Sequence, residues 1–167
     1  MRITLFVFAL LFALPNFSYS QNQDSGLTTF ILIRHAEKGK DDPRDPSLNN
    51  AGLDRAENLA KMLSSTTIDA VFSTPYKRTR ETVQGLAGQK YVEVKQYDPR
   101  DEDAISKLVK EYRGKTVVIS GHSNTTPFYV NKLAGTEFEQ LGEDEYDKIF
   151  IVTLKKAGKG TVTVLTY

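Results

Sequence analysis

Cysteine and tryptophan are absent from the 167 residues, and histidine occurs only twice. The lack of cysteine excludes disulfide frameworks, thiol catalysis and thiolate metal sites, and zinc would need carboxylates for most of its ligands. Neither sign of charge dominates, since 22 Lys and Arg residues stand against 21 Asp and Glu residues. We therefore expect neither a structural metal site nor a basic face for nucleic acid. The length and the 40% apolar content predict one globular domain.

Long hydrophobic runs are also missing. The longest apolar run is short and lies at the start of the chain. The single charge of Arg2 precedes an apolar run that ends at Leu14. A helix of this run would span roughly 18 Å, which is too short for a hydrocarbon layer of roughly 30 Å. The pattern predicts a signal peptide at residues 1–20, although a buried strand or an uncleaved anchor is the alternative. Cleavage after Ser20 would export residues 21–167 to the periplasm or the medium, without stable membrane insertion.

The rest of the chain alternates short apolar runs with segments of helical periodicity. Strands are predicted at 27–33, 69–73, 91–97, 116–120, 148–155 and 161–167. Helices are predicted to begin after Asn50 as the cap, at 74–88, at about 103–112, and near Asn124. Because strands separated by helices are too far apart for hairpins, we expect an α/β fold, a three-layer α/β/α sandwich with a mostly parallel sheet. The last two strands predict an antiparallel hairpin at its edge.

Both histidines directly follow predicted strands. Arg34 and His35 end the first strand, and His122 follows the fourth strand. Arg78 lies in the first turn of the helix that follows the second strand. Carboxyl ends of parallel strands form the ligand crevice of such sheets, so we expect these four side chains to converge. Guanidinium groups and helix N-termini suit a tetrahedral dianion such as phosphate. A neutral imidazole, with an ordinary pKa of about 6.5, also supplies a nucleophile near pH 7.

These residues stand in contexts that resemble the motifs of the histidine phosphatase superfamily, also called the phosphoglycerate mutase-like family. LIRHAEK resembles its Arg-His-Gly tripeptide, with Ala36 in place of glycine. SLNNAGLDRAENLA resembles the pattern of its first helix, STPYKRTRETV its second-arginine motif and GHSNT its second-histidine motif. The order of the four motifs resembles that of a small single-domain member, and the family's α/β/α sandwich agrees with the predicted elements.

The resemblance implies a role for each of the four residues. His35 would attack phosphorus and become a phosphohistidine, with its other ring nitrogen donating to a backbone carbonyl. Arg34, Arg78 and His122 would hold the phosphoryl oxygens, with His122 acting best in its protonated form. Water would then hydrolyse the intermediate, and neither a metal nor an organic cofactor is implied.

The acid that protonates the leaving group is less clearly marked. In many members of the family a carboxylate after the third strand has this role, and YDPRDED offers Asp98 first and Asp101 second. Asp98 is equally well interpreted as a turn residue before proline. Glu37 is a third candidate, and Glu81 is expected to be the partner of Arg78. Some short phosphohistidine phosphatases of the superfamily work without such an acid.

Two further groups of polar residues lie near the expected crevice. Asn124 and the two threonines after it either cap the helix that follows His122 or touch substrate. Lys38, Lys40 and Arg44, in the loop after His35, either contact the rest of an anionic substrate or are solvated.

The sequence therefore predicts an exported, metal-independent phosphatase that hydrolyses phosphate monoesters through a phosphohistidine on His35. The expected partner is a small phosphorylated substrate and not a nucleic acid, and the oligomeric state is not fixed by the sequence. One alternative is a phosphohistidine phosphatase, although export separates it from cytoplasmic phosphorelays. Another is a catalytically silent phosphoryl-binding module. A mutase is disfavoured because residues 21–167 leave little material for a lid.

Overall fold

The computed structural model describes residues 26–101 and 103–167. The predicted signal peptide and its cleavage site lie outside these residues, so export remains a prediction. Within the described residues no helix is long and apolar enough to cross a membrane. The elements of this part of the chain are β1 (Thr28–Arg34), α1 (Asn50–Met62), β2 (Ala70–Ser73), α2 (Lys77–Gln89), β3 (Val94–Gln96), α3 (Ala104–Glu111), β4 (Thr116–Gly121), α4 (Thr125–Ala134), β5 (Lys148–Leu154) and β6 (Thr161–Thr166).

The strands form one six-stranded sheet in the order β3-β2-β4-β1-β5-β6. Strands β1 to β4 pair in parallel. β5 runs antiparallel to β1, and β6 pairs antiparallel with β5 at the edge. The α/β fold with a C-terminal antiparallel hairpin, predicted from the sequence, is confirmed.

Both faces of the sheet are covered, because neighbouring residues of a strand point to opposite sides. Ile31 and Ile33 of β1 face α1 and α2, and Phe30 and Leu32 face α3 and α4. The first core includes Leu59, Val71, Val83, Leu86 and Val118. The second core includes Phe72, Ile105, Leu108, Val117, Ile119 and Leu133. This near-continuous apolar character is typical of strands that are buried on both faces.

Element boundaries differ from the predicted ones where local backbone chemistry intervenes. The cap of α1 is Asn49 and not Asn50, and its side-chain oxygen accepts a 2.9 Å hydrogen bond from the Gly52 amide. α2 begins at residue 77 and not 74, because Pro75 disfavours helical geometry at Thr74 and the cap residue Tyr76 is extended, with a ψ of 145°. β3 is shorter than predicted, since Tyr91 has a left-handed φ of 55° and cannot extend the strand.

Candidate active site

The carboxyl ends of β1, β2 and β4 lie side by side, because these strands are neighbours in the sheet. The amide of His35, after β1, donates a 2.9 Å hydrogen bond to the carbonyl of Gly121 at the end of β4. The rings of His35 and His122 are 5.5 Å apart between centroids. The sheet order therefore brings together the two histidines that are 87 positions apart in the sequence.

The protonation of His35 is set by one backbone contact. Its Nδ1 lies 2.8 Å from the carbonyl oxygen of Ala36. A carbonyl can only accept, so Nδ1 carries the proton and Nε2 keeps its lone pair. Burial lowers the pKa of His35 to about 3; the Ala36 hydrogen bond opposes this shift, and Arg78 and His122 add to it. The ring is therefore neutral at pH 7, and Nε2 keeps a lone pair of the kind a nucleophile needs.

Arg34 is fixed by the loop that precedes β5. One of its terminal nitrogens, Nη1, donates to the carbonyls of Gly142 at 2.7 Å and Glu145 at 3.1 Å. Its guanidinium carbon lies 4.0 Å from the centre of the Tyr146 ring. Its Nε is buried and has no hydrogen-bond partner among the described residues. The contacts of Nη1 and the Tyr146 ring thus orient the guanidinium group. Its buried Nε–H remains available to donate to an oxyanion at the site.

Arg78 has a different partner from the one predicted. Its guanidinium lies 3.8 Å from the Asp45 carboxylate and stacks on the Tyr76 ring, 4.5 Å from the centroid. The expected partner, Glu81, instead accepts a 2.7 Å hydrogen bond from the Leu48 amide. The prediction for Glu81 is wrong because its side chain is used to hold the loop before α1. Arg78 resembles Arg34 in having a buried Nε with no partner in the described part of the chain.

His122 is held by a hydroxyl that sequence reasoning missed. Its Nε2 lies 3.0 Å from Oγ1 of Thr74, which lies 2.8 Å from Oγ1 of Thr79. Burial, followed by Arg78 and Arg34, lowers the pKa of His122 to about 4. The ring is therefore neutral at pH 7, in contrast to the expected protonated form. Thr74 follows β2 as His35 follows β1, and this position at a strand end was the available signal.

The loop between β1 and α1, which begins at His35 and which we call the catalytic loop, is packed against the start of α1. The Ala36 amide donates a 2.9 Å hydrogen bond to Oγ1 of Thr82, and the Ala36 methyl group is buried against Leu48. The alanine therefore fills a small apolar cluster. At Gly52 a Cβ would lie 2.3 Å from the Glu37 carbonyl oxygen. Only glycine allows this close approach between helix and loop.

Asp98, the first acid candidate, lines a cleft that opens on His122 and Arg78. Its carboxylate pairs with the Arg100 guanidinium at 3.2 Å, and its side chain is 53% exposed. The amide and guanidinium of Arg100 hold the pKa of Asp98 below its ordinary value. Asp98 thus shares a cleft with His122 and Arg78, and its lowered pKa favours the ionised carboxylate. Its role as the acid remains a prediction.

The other two acid candidates are engaged elsewhere. Asp101 pairs with Lys107 at 2.7 Å, and that hydrogen bond lowers the pKa of Asp101. Glu37 pairs with Arg55 at 2.7 Å, and the hydrogen bond from Arg55 lowers the pKa of Glu37. Each carboxylate is therefore ionised and paired with a cation, whereas an acid needs a proton to donate.

Of the three residues that follow Ser123, the two threonines hold the backbone through hydrogen bonds, and Asn124 lines the cleft. Oγ1 of Thr125 accepts a 2.9 Å hydrogen bond from the His122 amide, and Oγ1 of Thr126 donates to the Ile33 carbonyl at 3.0 Å. Asn124 occupies the cap position of α4 without a capping hydrogen bond from its side chain. It lines the same cleft as Asp98, whose volume is about 610 Å³. Binding of substrate by Asn124 remains a prediction.

Taken together, these contacts assemble groups that suit a phosphoryl group. The site holds a neutral imidazole with an unprotonated Nε2, a second imidazole, and two guanidinium groups whose Nε atoms have no partner among the described residues. Among residues 26–101 and 103–167 no group of three or more His, Asp or Glu side chains could hold a metal ion. The fold and the site define an α/β protein with groups suited to a phosphoryl ligand at the carboxyl ends of its parallel strands.

The family model of the histidine phosphatase superfamily (branch 1) matches residues 30–100. This range includes Arg34, His35 and Arg78, and the fold and the position of His122 agree with it. Over residues 30–100 the chain is thus similar to the histidine phosphatase superfamily, and this similarity supports a phosphatase, a hydrolase. No curated protein matches the chain in sequence.

Solved structures of phosphatases share the fold at low sequence identity. A SixA protein of Agrobacterium tumefaciens, described as a candidate phosphohistidine phosphatase, is 19% identical with a TM-score of 0.63, over 84% of this chain and 98% of that one. The protein histidine phosphatase SixA complexed with tungstate is 20% identical with a TM-score of 0.66, over 83% and 96%. A phosphoserine phosphatase of Entamoeba histolytica in complex with 3-phosphoglyceric acid is 18% identical with a TM-score of 0.64, over 84% and 97%. At these identities the likeness shows the fold.

Proposed function

We propose that the protein hydrolyses phosphate monoesters of small molecules through a phosphohistidine on His35. The hydrogen bond from Nδ1 to the Ala36 carbonyl supports this most directly, because it leaves the Nε2 lone pair free to attack. A bond forms between Nε2 and phosphorus while the ester P–O bond breaks, and the leaving oxygen takes a proton. Water then attacks phosphorus, releases inorganic phosphate and restores the neutral imidazole.

Charge at the site favours this reaction. The guanidinium groups of Arg34 and Arg78 offset the two negative charges of a phosphomonoester, and both are held in place before substrate binds. Donors fixed in a buried site stabilise the transferring group without reorganising during the reaction. The Nε2 atom of His122 contacts the Thr74 hydroxyl. The ring nitrogen that His122 offers to a phosphoryl oxygen is therefore Nδ1.

Three finer features belong to the same proposal. Asp98 passes a proton from solvent to the leaving group, supported by its position in the cleft beside His122. Because its pKa is lowered in the free protein, this role requires that the negative charge of the bound substrate raise that pKa. The reaction uses no metal, since imidazole and guanidinium groups supply the nucleophile and the positive charge. The protein acts outside the cytoplasm, which the sequence pattern of residues 1–20 supports.

The second candidate function is hydrolysis of phosphohistidine or another phosphoramidate. It is favoured by the similarity to two SixA structures and by the ionised state of all three acid candidates. A phosphoramidate nitrogen can be protonated from water before it leaves, so this reaction makes a smaller demand on an acid.

Hydrolysis of an activated aryl phosphate tests the proposal. The purified protein is assayed with a chelator present, beside His35→Ala and the exposed control Lys110→Gln. An activated leaving group needs little acid, so the assay reports on the nucleophile and the phosphate pocket. We expect turnover in the wild type and the control, with loss in His35→Ala. Turnover of a phosphoramidate alone would favour the second candidate, and folded protein inactive on both would indicate a phosphoryl-binding module.

A further inference from the structure

The loop between His35 and α1 is tied to itself by backbone hydrogen bonds. The Gly39 amide donates to the Ser47 carbonyl at 2.7 Å, and the Asn49 amide donates to the Glu37 carbonyl at 2.9 Å. Lys38 and Leu48 form an isolated antiparallel bridge between these two contacts. The loop therefore displays its side chains from a fixed backbone, which lowers the entropic cost of binding a ligand.

Two acidic residues of this loop, Asp41 and Asp42, accept hydrogen bonds from the loop's own backbone. Asp41 accepts a 3.0 Å hydrogen bond from the Ser47 amide, and Asp42 accepts from the amides of Arg44 at 2.8 Å and Asp45 at 3.2 Å. These two amides hold the pKa of Asp42 below its ordinary value. The carboxylates thus stabilise turns of the loop, as Asp side chains often do.

The basic residues of the loop remain without carboxylate partners. Lys38, Lys40 and Arg44 form no ion pair with any residue in the described part of the chain. They line a cavity of about 390 Å³, which we call the loop pocket. The complete lining is Lys38, Gly39, Lys40, Asp42, Pro43, Arg44, Pro46 and Arg78.

Arg78 joins the loop pocket to the reaction site. It lines both the loop pocket and the cleft that contains His122. A ligand whose phosphoryl group contacts Arg78 could therefore place a second group among the loop cations. Four basic side chains and the Asp42 carboxylate line this space, and the Asp45 carboxylate lies 3.8 Å from one of them, Arg78. The remaining excess of positive charge favours an anion of more than one charge.

We propose that the loop pocket binds a second phosphate group of the substrate while the first reacts at His35. The preferred substrates would then be bisphosphorylated small molecules. This inference rests on the proposed phosphatase function and adds the substrate class to it. The three loop cations act as specificity-determining residues and take no part in bond making or breaking.

The test compares two substrates that differ in one group. The probes are a short alkanediol bisphosphate and the alkyl monophosphate of the same chain length, with an alkyl phosphate that ends in carboxylate as a third. The variant is Lys38→Gln/Lys40→Gln/Arg44→Gln, and the control is Lys110→Gln. Lys110 is exposed in the last turn of α3, at the opposite end of the sheet from the site.

We expect the wild type and the control to prefer the bisphosphate in kcat/KM. In the triple variant this preference falls roughly tenfold. Each of the three partly solvated charge contacts is expected to change kcat/KM by roughly twofold to threefold. The carboxylate substrate falls less, because it carries less charge. Added salt weakens the preference in the wild type and has little effect in the triple variant.

A binding measurement separates this inference from the proposed function. Isothermal titration of the His35→Ala protein with the same bisphosphate and monophosphate gives the ratio of dissociation constants without turnover. A ratio that drops roughly tenfold on adding the loop substitutions supports the loop pocket even if hydrolysis fails. Equal affinity for the two probes, or a ratio unchanged by the loop substitutions, would overturn the inference even if the enzyme is an active phosphatase.

Discussion

A single backbone hydrogen bond determines which nitrogen of His35 keeps its lone pair. The Ala36 carbonyl lies 2.8 Å from Nδ1, and a carbonyl cannot donate. The sequence predicted a backbone carbonyl partner from the chemistry that a nucleophilic imidazole requires. It could not identify that partner as the next residue, because the fold of the loop decides which carbonyl is near.

The first prediction concerns the charge of the two histidines. Folding lowers the pKa of His35 to about 3 and that of His122 to about 4. Both rings should therefore remain neutral as pH falls from 7 to 5, whereas unfolded histidines gain a proton near pH 6.5. Nitrogen NMR of histidine-labelled protein checks this, with His35→Asn to assign the two rings. The His35 spectrum should show Nδ1–H, and a titration midpoint near 6.5 or an Nε2–H form would contradict the structure.

The second prediction concerns Thr74, the partner of His122 Nε2 at 3.0 Å. Thr74→Val keeps the side-chain shape and removes the hydroxyl, so the ring loses the contact that orients it. We expect kcat to fall roughly fivefold to tenfold, the worth of about one hydrogen bond.

Thr74→Ser is the matched control, because it keeps the hydroxyl and should restore most of the rate. Nitrogen NMR provides a second measurement, since the His122 signals should move in Thr74→Val and not in Thr74→Ser. Equal rates for the two variants would remove Thr74 from the site.

Secondary-structure elements were predictable where the sequence pattern is local. The alternation of apolar strands and helices predicted the parallel sheet, its covered faces and the C-terminal hairpin. The contacts of Arg34 were not predictable, because Gly142 and Glu145 are more than a hundred positions away and carry no motif. The Asp45 partner of Arg78 was not predictable either, because Asp45 lies in a loop, and loop geometry has no periodic pattern.

The third prediction tests the contact between α1 and the catalytic loop. In Gly52→Ala the new methyl group would lie 2.3 Å from the Glu37 carbonyl oxygen, so the helix and the loop must separate. We expect a loss of about 1–3 kcal/mol in the free energy of unfolding, together with a lower kcat, because His35 lies two residues before Glu37.

Gly85→Ala is the control from the next helix. Nothing lies within 4 Å of a Cβ at that position, and alanine favours helix by about 1 kcal/mol over glycine. Denaturant unfolding of both variants should therefore give opposite signs. A Gly52→Ala protein as stable and active as the wild type would show that this close approach is not required.

In the molecule as a whole, the sheet order assembles the site. β2, β4 and β1 are adjacent, so the residues that follow them meet at one end of the sheet although they are widely separated in sequence. This convergence could be predicted from the parallel topology together with the positions of Arg34, His35, Arg78 and His122. The loop pocket could not be predicted, since the sequence does not show that Asp41 and Asp42 accept hydrogen bonds from backbone amides. Nor does it show that the three cations of that loop lack ion-pair partners among the described residues.

Detection of the phosphoenzyme tests the central claim most directly. The protein is mixed with an activated aryl phosphate, quenched within the first turnover under alkaline conditions, and examined by mass spectrometry of its peptides. The mechanism predicts one phosphoryl group on His35, stable to alkali, labile to acid and absent from His35→Ala. Phosphate release without any phosphorylated His35, or full activity in His35→Ala, would contradict it.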